Sequence, residues 1–191
     1  MSHIFNPDDK HKLDNAERRA EMPPEKTLLD AGLRPCDTFL DIGCGIGYFS
    51  LAAVNIVGPK GKVYATDISP IMLAELRSKI AAAGIFNIEV MQAGPDCEEL
   101  RAGTATMALI SNVLHEIDDK NAFLASVRKV LKPGGRLAVI EWQKKETPHG
   151  PPAADRVGAD RIAAMLQNNG FAAPSAADLG KEHAIYLTKK I

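Results

Sequence analysis

Three short stretches of this chain hold residues whose types and spacing could do chemistry. Asp41-Ile42-Gly43-Cys44-Gly45-Ile46-Gly47 sets an acid ahead of three glycines at alternate positions. Glycine has no β-carbon, so such a turn can reach positive φ and let a ligand lie against its backbone. A helix beginning after Tyr48 would offer free N–H groups to a carboxylate or phosphate, and Asp41 is placed to accept from a cation or a hydroxyl. Asp67 ends a second apolar run some twenty residues on. In a doubly wound sheet, a carboxylate there accepts from both hydroxyls of a ribose, and the neighbouring Ile68 would pack on the base. His115, in Asn112-Val113-Leu114-His115-Glu116, titrates near neutral pH and is the candidate general base. A backbone hydrogen bond, or one to Glu116, is the competing role for that imidazole. Glu116, Asp118 and Glu141 are lesser candidates.

These stretches need elements to hold them. Thr38-Phe39-Leu40 reads as a strand running into the glycine turn, and Tyr48 to Val54 as the helix after it. Pro23-Pro24 can open an earlier helix that Gly32 stops. Lys62 to Thr66 is a second strand. Ser69-Pro70 is an N-cap with proline at the first helical position, and Met72, Leu73, Leu76 and Ile80 recur at helical spacing up to Gly84. Ile88 to Met91 and Ala105 to Ser111 read as further strands, and Asp118-Asp119 as a cap for a helix bearing Phe123, Leu124, Val127, Val130 and Leu131. Lys132 to Arg136 reads as a tight turn before a strand at Leu137 to Ile140. Ile162, Ala163 and Leu166 give a helix closed by Gly170. Ala172 to Leu179 is a poor strand by propensity, His183 to Thr188 a better one, and Lys189-Lys190 reads as a solvated tail. Alternating strands and helices predict a doubly wound, mostly parallel sheet with helices on both faces. The proline-rich loop from Gln143 to Ala154 leaves the carboxyl edge of that sheet, where ligands bind, so Trp142, His149 and Arg156 are candidates for a binding wall.

Composition sets bounds. The chain has 191 residues, 46% hydrophobic and 25% charged, with 23 basic and 24 acidic side chains for a net charge of -1. That balance gives no electrostatic footprint for nucleic acid or an anionic membrane. No apolar run approaches the roughly 20 residues of a membrane span, and Met1 to Lys12 lacks the apolar core of a signal peptide, so a cytoplasmic location is expected. Three cysteines with no C-x-x-C spacing suggest neither a disulfide framework nor a metal site.

Asp-x-Gly-x-Gly-x-Gly resembles the first motif of class I S-adenosylmethionine-dependent methyltransferases. A dinucleotide fingerprint would need a third glycine where Tyr48 stands. Leu131-Lys132-Pro133-Gly134-Gly135-Arg136-Leu137 resembles a later signature of the same family, and the resemblance spans about Leu28 to Lys190. It lies nearest the ubiquinone/menaquinone-biosynthesis and arsenite methyltransferase-like branch, although only Cys36 and Cys97 stand outside the motif as thiols for arsenic. The resemblance implies a seven-stranded sheet whose last strand is antiparallel, and S-adenosylmethionine as cofactor. Asp41, Gly43, Cys44, Gly45, Gly47, Asp67, Ile68 and Asn112 would hold it, with Asp96 accepting from the adenine amino group. Residues 1–22 would be a lid, with His3, Phe5, Arg18 and Arg19 its usable groups, or else a frayed terminus; residues 23–191 would be the single catalytic domain. Members that methylate base amines or glutamine carry Asn/Asp-Pro-Pro-Tyr where this chain has Asn112-Val113-Leu114-His115, which implies a small-molecule acceptor. The implied reaction is in-line displacement at the sulfonium methyl, which asks mainly for alignment and exclusion of water. Two other classes stay open: a non-catalytic S-adenosylmethionine-binding or partner-binding module, and a nicotinamide-dependent oxidoreductase.

Overall fold

β4 (Ala105–Ser111) turns Met107 and Leu109 to one face and Ala108 and Ile110 to the other, and all four are fully buried. A strand apolar on both faces needs cover on both, which is the setting of a central parallel strand. The computed structural model, which describes residues 13–94 and 99–191, provides that cover. Its other strands are β1 (Thr38–Ile42), β2 (Lys62–Asp67), β3 (Ile88–Gln92), β5 (Leu131–Trp142), β6 (Ser175–Leu179) and β7 (His183–Lys189). They form one seven-stranded sheet in the order β3-β2-β1-β4-β5-β7-β6. Pairs among β1 to β5 are parallel, and β7 runs antiparallel to both β5 and β6.

Helices α2 (Pro24–Asp30) and α3 (Ser50–Val57) pack with Phe39, Met107, Leu109 and Ile140 on one face, and α4 (Pro70–Ala83) extends that layer with Leu73 and Leu76 on Ala65. On the other face, α5 (Lys120–Val130) and α6 (Ala159–Asn168) bury Phe123, Leu124, Ile162 and Leu166 against Ala108, Ile110 and Val139. A short α1 (Ala16–Glu21) precedes them. The helix ends follow sequence chemistry: Ser69 accepts from the Met72 N–H, and Gly84 closes α4 in the left-handed conformation. Asp119, rather than Asp118, caps α5 by accepting from the Ala122 N–H.

At the amino edge, the Arg136 guanidinium binds Asp37 Oδ1 at 2.6 Å and donates to the Gly32 carbonyl, while Thr106 Oγ1 donates to the same Asp37 oxygen at 2.7 Å. This pin ties β4, β5 and the α2–β1 connection together at the end opposite the functional edge.

Three expectations change. Lys132 to Arg136 is not a turn ahead of the strand but an excursion within it. Ala105 pairs with Leu131 and Met107 with Arg136, so β5 spends Lys132 to Gly135 where β4 spends only Thr106. Gly134 there has φ 69°, and a Cβ on Gly135 would come within 2.8 Å of the Lys132 carbonyl. Lys190 is no tail: it bridges to Phe171, and its Nζ donates to the Leu131 carbonyl at 2.6 Å. β6 forms despite its weak propensity because pairing with β7 satisfies it at the sheet's edge.

Candidate active site

β1 has β2 on one side and β4 on the other, so the chain reverses its winding direction between β1 and β4. That crevice, beyond the strands' carboxyl ends, is where open α/β sheets bind ligands. A cavity of about 1700 Å³ opens there, lined among others by the glycine turn, Asp67, Ile68, Asn112, His115 and His183.

Gly43, Gly45 and Gly47 have φ of 68°, 54° and 88°, the positive values anticipated for the turn. The three do different work. Added β-carbons at Gly43 and Gly45 would meet side chains of cavity residues, Val113 and Leu13, whereas one at Gly47 would strike Leu76 of α4 at 2.3 Å. Gly47 does not line the cavity; it lets the turn pack on α4. The turn's N–H groups are also less free than expected. Those of Cys44, Gly45 and Gly47 donate to Thr66 O, Asp67 Oδ2 and Cys44 O, and the first residue of α3, Ser50, is fully buried away from the cavity.

Asp67 accepts from the Gly45 N–H and the Ser69 N–H, each at 2.8 Å and each on a different oxygen. One lone pair on each oxygen therefore stays available to a ribose, and the same carboxylate holds the turn. Ile68 is 52% exposed on the cavity wall, an apolar surface of the kind a purine covers. Asp41 is 2% exposed and accepts from Ser50 Oγ at 2.5 Å. Burial pushes its carboxyl up to about 6, against the pull of that hydroxyl and with a further push from the Asp67 charge. Cys44 also lines the cavity, but burial drives its thiol well above the usual range, leaving a small inert side chain packed near Leu73 and Leu76. Asp96 lies outside the described residues, as do His3 and Phe5.

On the far side of the cavity stands an acid–imidazole pair that sequence separation concealed. His115, on a single 3-10 turn (Leu114–Glu116), brings Nδ1 to 2.9 Å from Glu141 Oε2, and its backbone N–H donates to Glu141 Oε1 at 3.2 Å. The side chains are 5% and 1% exposed. Burial works against the charged imidazole, but the Glu141 hydrogen bond and the charges of Glu141 and Glu116 outweigh it, so the His115 pKa is raised. Glu141 thereby fixes both the ring's orientation and its proton-bearing nitrogen, the role a carboxylate plays toward a catalytic histidine.

Beside this pair, Asn112 takes the left-handed conformation at φ 56°, which asparagine tolerates better than most residues. Its Nδ2 lies 3.2 Å from His183 Nε2, and its Oδ1 is buried without a partner among the described residues. Burial first, then the charges of Arg18 and Arg156, push His183 down to about 3, so its ring stays neutral. It packs on Trp142 with the rings tilted by 39° and their centroids 4.0 Å apart. His183 was not a sequence candidate. The one signal for it is register, since antiparallel pairing sets it opposite Trp142.

The loop after β5 does form a wall, with Trp142, Thr147, Pro148, His149, Gly150 and Pro151 on the cavity. Arg156 has a different role from the one its charge suggested. It is 3% exposed, and its guanidinium donates to the carbonyls of Gln143, Lys145, His149 and Pro151 and to Thr147 Oγ1. Every N–H of that guanidinium is engaged, so Arg156 shapes the loop instead of meeting a ligand.

The N-terminal segment is anchored from Leu13 onward. Tyr48 Oη donates to Met22 O at 2.7 Å and to Arg18 O at 3.3 Å, Met22 is buried, and Asn15, Arg18 and Met22 line the cavity.

An acid-flanked glycine turn at this switch point, with a carboxylate ending the second strand, defines a class I S-adenosylmethionine-dependent methyltransferase. The ubiE/COQ5 methyltransferase family is matched over residues 24–157. The chain belongs to that family, enzymes whose cofactor is S-adenosylmethionine. It is 36% identical over 125 residues to the ubiquinone/menaquinone biosynthesis C-methyltransferase UbiE of Francisella tularensis subsp. holarctica, covering 65% of this chain and 50% of the relative. The chain thus spans about half the length of the curated relatives it matches. Among solved structures, a SAM-dependent methyltransferase from Aquifex aeolicus superposes with a TM-score of 0.93 at 29% identity, covering 98% of this chain and all of that one. The [4+2]-cyclase SpnF, at TM-score 0.74 and 16% identity over 87% of this chain and 81% of its own, shares the fold alone. Among the described residues, no helix is long and apolar enough to cross a membrane, and no cluster of three His, Cys, Asp or Glu side chains could hold a metal ion.

Proposed function

We propose that this chain moves a methyl group from S-adenosylmethionine to a small-molecule acceptor seated between His115 and the 143–156 loop. The observation that carries this reading is the buried His115–Glu141 pair facing the cavity that the glycine turn and Asp67 enter. When bound, S-adenosylmethionine supplies an electrophilic methyl carbon whose departure leaves a neutral thioether. Asp67 would hold the ribose, Ile68 the base and Asp41 the ammonium of the methionine end. Val113, Ile117 and Trp142 keep water from the acceptor side, and exclusion of water with alignment within about 3 to 3.5 Å is most of what a methyl displacement asks of a protein. His115 takes the proton of an acidic acceptor, and Glu141 stabilises the imidazolium that forms.

Relatives bearing a C-methyltransferase name favour carbon as the acceptor atom, and a carbon made nucleophilic by loss of a nearby acidic proton has use for such a base. The test pairs calorimetry with turnover. S-adenosylmethionine and its demethylated product should bind in the micromolar range. Asp67→Ala should weaken both by about 1.5 to 3 kcal/mol through lost hydrogen bonds to a charged group. A screen of small acidic acceptors with radiolabelled cofactor should give transfer that His115→Ala slows by about 10²–10⁴-fold. Absence of binding by either ligand refutes the reading at its base; binding with transfer indifferent to His115 refutes the base role.

A further inference from the structure

The cofactor's methionine end carries an ammonium and a carboxylate, so its site needs an acceptor for one and a donor for the other. Asp41 is the acceptor. The usual donor would be the glycine turn, yet the N–H groups of Cys44, Gly45 and Gly47 are already spent within the protein, and α3 begins at a residue buried away from the cavity. Those three donors are closed to a carboxylate, and a side chain can supply another.

One cation is placed for it. Arg18, on α1, lines the same cavity, and its guanidinium carbon lies 4.5 Å above the centre of the Tyr48 ring. Tyr48 in turn holds α1 by its hydroxyl, through the Arg18 and Met22 carbonyls. The Arg18 Nε is buried with no hydrogen-bond partner among the described residues, a costly state for a charged group. The adjacent Arg19 differs: its Nε and Nη2 are committed to Asp14 at 2.6 and 2.8 Å. Arg18 and Asp41 both line this cavity, with opposite sign. A planar fork of donors matches a carboxylate in two places at once, which a lysine or a lone amide cannot do.

We infer that Arg18 is the carboxylate-binding group of the cofactor site, and that α1, pinned on Tyr48, closes the methionine end opposite Asp41. This assignment rests on the S-adenosylmethionine reading and assigns the N-terminal segment a ligand contact.

The experiment compares two ligands on the wild type, Arg18→Gln and Arg18→Lys by calorimetric titration. One is S-adenosylhomocysteine; the other is its decarboxylated analogue, S-adenosyl-3-thiopropylamine, which keeps the adenosine, the thioether and the ammonium. The wild type should prefer S-adenosylhomocysteine by roughly 10- to 100-fold, the range of hydrogen bonds to a charged group. Arg18→Gln should reduce that preference to under about threefold by weakening S-adenosylhomocysteine alone, and Arg18→Lys should keep part of it as a point charge. Equal weakening of both ligands would mean that Arg18 only props α1, and an unchanged preference, or none in the wild type, would likewise overturn the assignment. Melting of the free variants identifies a misfolded one, in which case Arg18→Lys decides. Failure of the wild type to bind S-adenosylhomocysteine at all would instead remove the cofactor reading beneath it.

Discussion

With the cofactor's ammonium on Asp41, as proposed, affinity depends on pH in a calculable way. Its carboxyl sits at about 6 in the free protein, against an ordinary 3.8, because burial penalises the charge. That shift of about two units corresponds to about 3 kcal/mol against the ionised form at neutral pH. The sign follows from a raised carboxyl: the cost is absent below 3.8, builds between 3.8 and 6, and is complete above 6. A bound ammonium beside Asp41 removes that cost and draws the pKa back toward 4 or below. Linkage then makes S-adenosylhomocysteine bind about tenfold more weakly at pH 5 than at pH 7, with one proton released per ligand in the middle of the range. Calorimetry in two buffers of different ionisation enthalpy measures both quantities. Asp41→Asn should flatten the pH profile, hold affinity near the weak, low-pH value, and raise the melting temperature of the free protein at pH 7. Affinity that stays level from pH 7 to 5 in the wild type would refute the placement of the ammonium on Asp41.

Glu141→Gln removes the partner that raises His115, so the acid limb of the kcat/KM profile should move to lower pH while the maximum falls; an unmoved limb would separate His115 from the proton transfer. The imidazolium's contribution to stability is full below its unfolded value near 6.5 and is lost as pH rises through the folded value, so the same variant should lose stability chiefly in acid, read by melting at pH 5.5 against pH 8. Arg156→Met leaves four loop carbonyls and a hydroxyl without their donor and should cost about 3 kcal/mol, visible in chemical denaturation and in faster proteolysis between Gln143 and Asp155. Gly47→Ala meets both an 88° φ and Leu76 at 2.3 Å; it should lower stability by about 2 kcal/mol or more while Gly84→Ala, with open space around it, costs only its φ.

Much of the architecture was legible from the chain. Strands β1, β2 and β4 and the caps at Ser69 and Gly84 follow from local patterns, because each is decided by residues a few positions apart; the antiparallel direction of the last strand is implied by the family resemblance alone. The proposed cofactor half of the site is similarly local: one turn and the end of one strand. What escaped was decided by distance or by competition. Glu141 is 26 residues from His115, and only the β4–β5 pairing makes them neighbours. His183 reaches the cavity through antiparallel register, and Arg156 resembled a ligand contact until five internal acceptors claimed it. Lys132 to Arg136 has turn chemistry, and the strand absorbed it as an excursion because Leu131 and Arg136 both pair with β4. Gly47 belongs to the motif by spacing, yet its missing side chain serves α4.

The Arg156 clamp bears on how such an enzyme changes its acceptor. Four of the five groups it holds are main-chain carbonyls, which every amino acid supplies. Where those carbonyls set it, the loop's shape does not depend on which side chains it carries; Gly150 is the exception, with φ 85° and Trp142 within 2.8 Å of an added Cβ. Pro148 and His149, which face the cavity, can be exchanged without unfastening the wall that presents them. On the function proposed above, selection, natural or in the laboratory, can rewrite acceptor preference on this loop while Glu141 within β5, His115 beyond β4 and the glycine turn beyond β1 stay where they are.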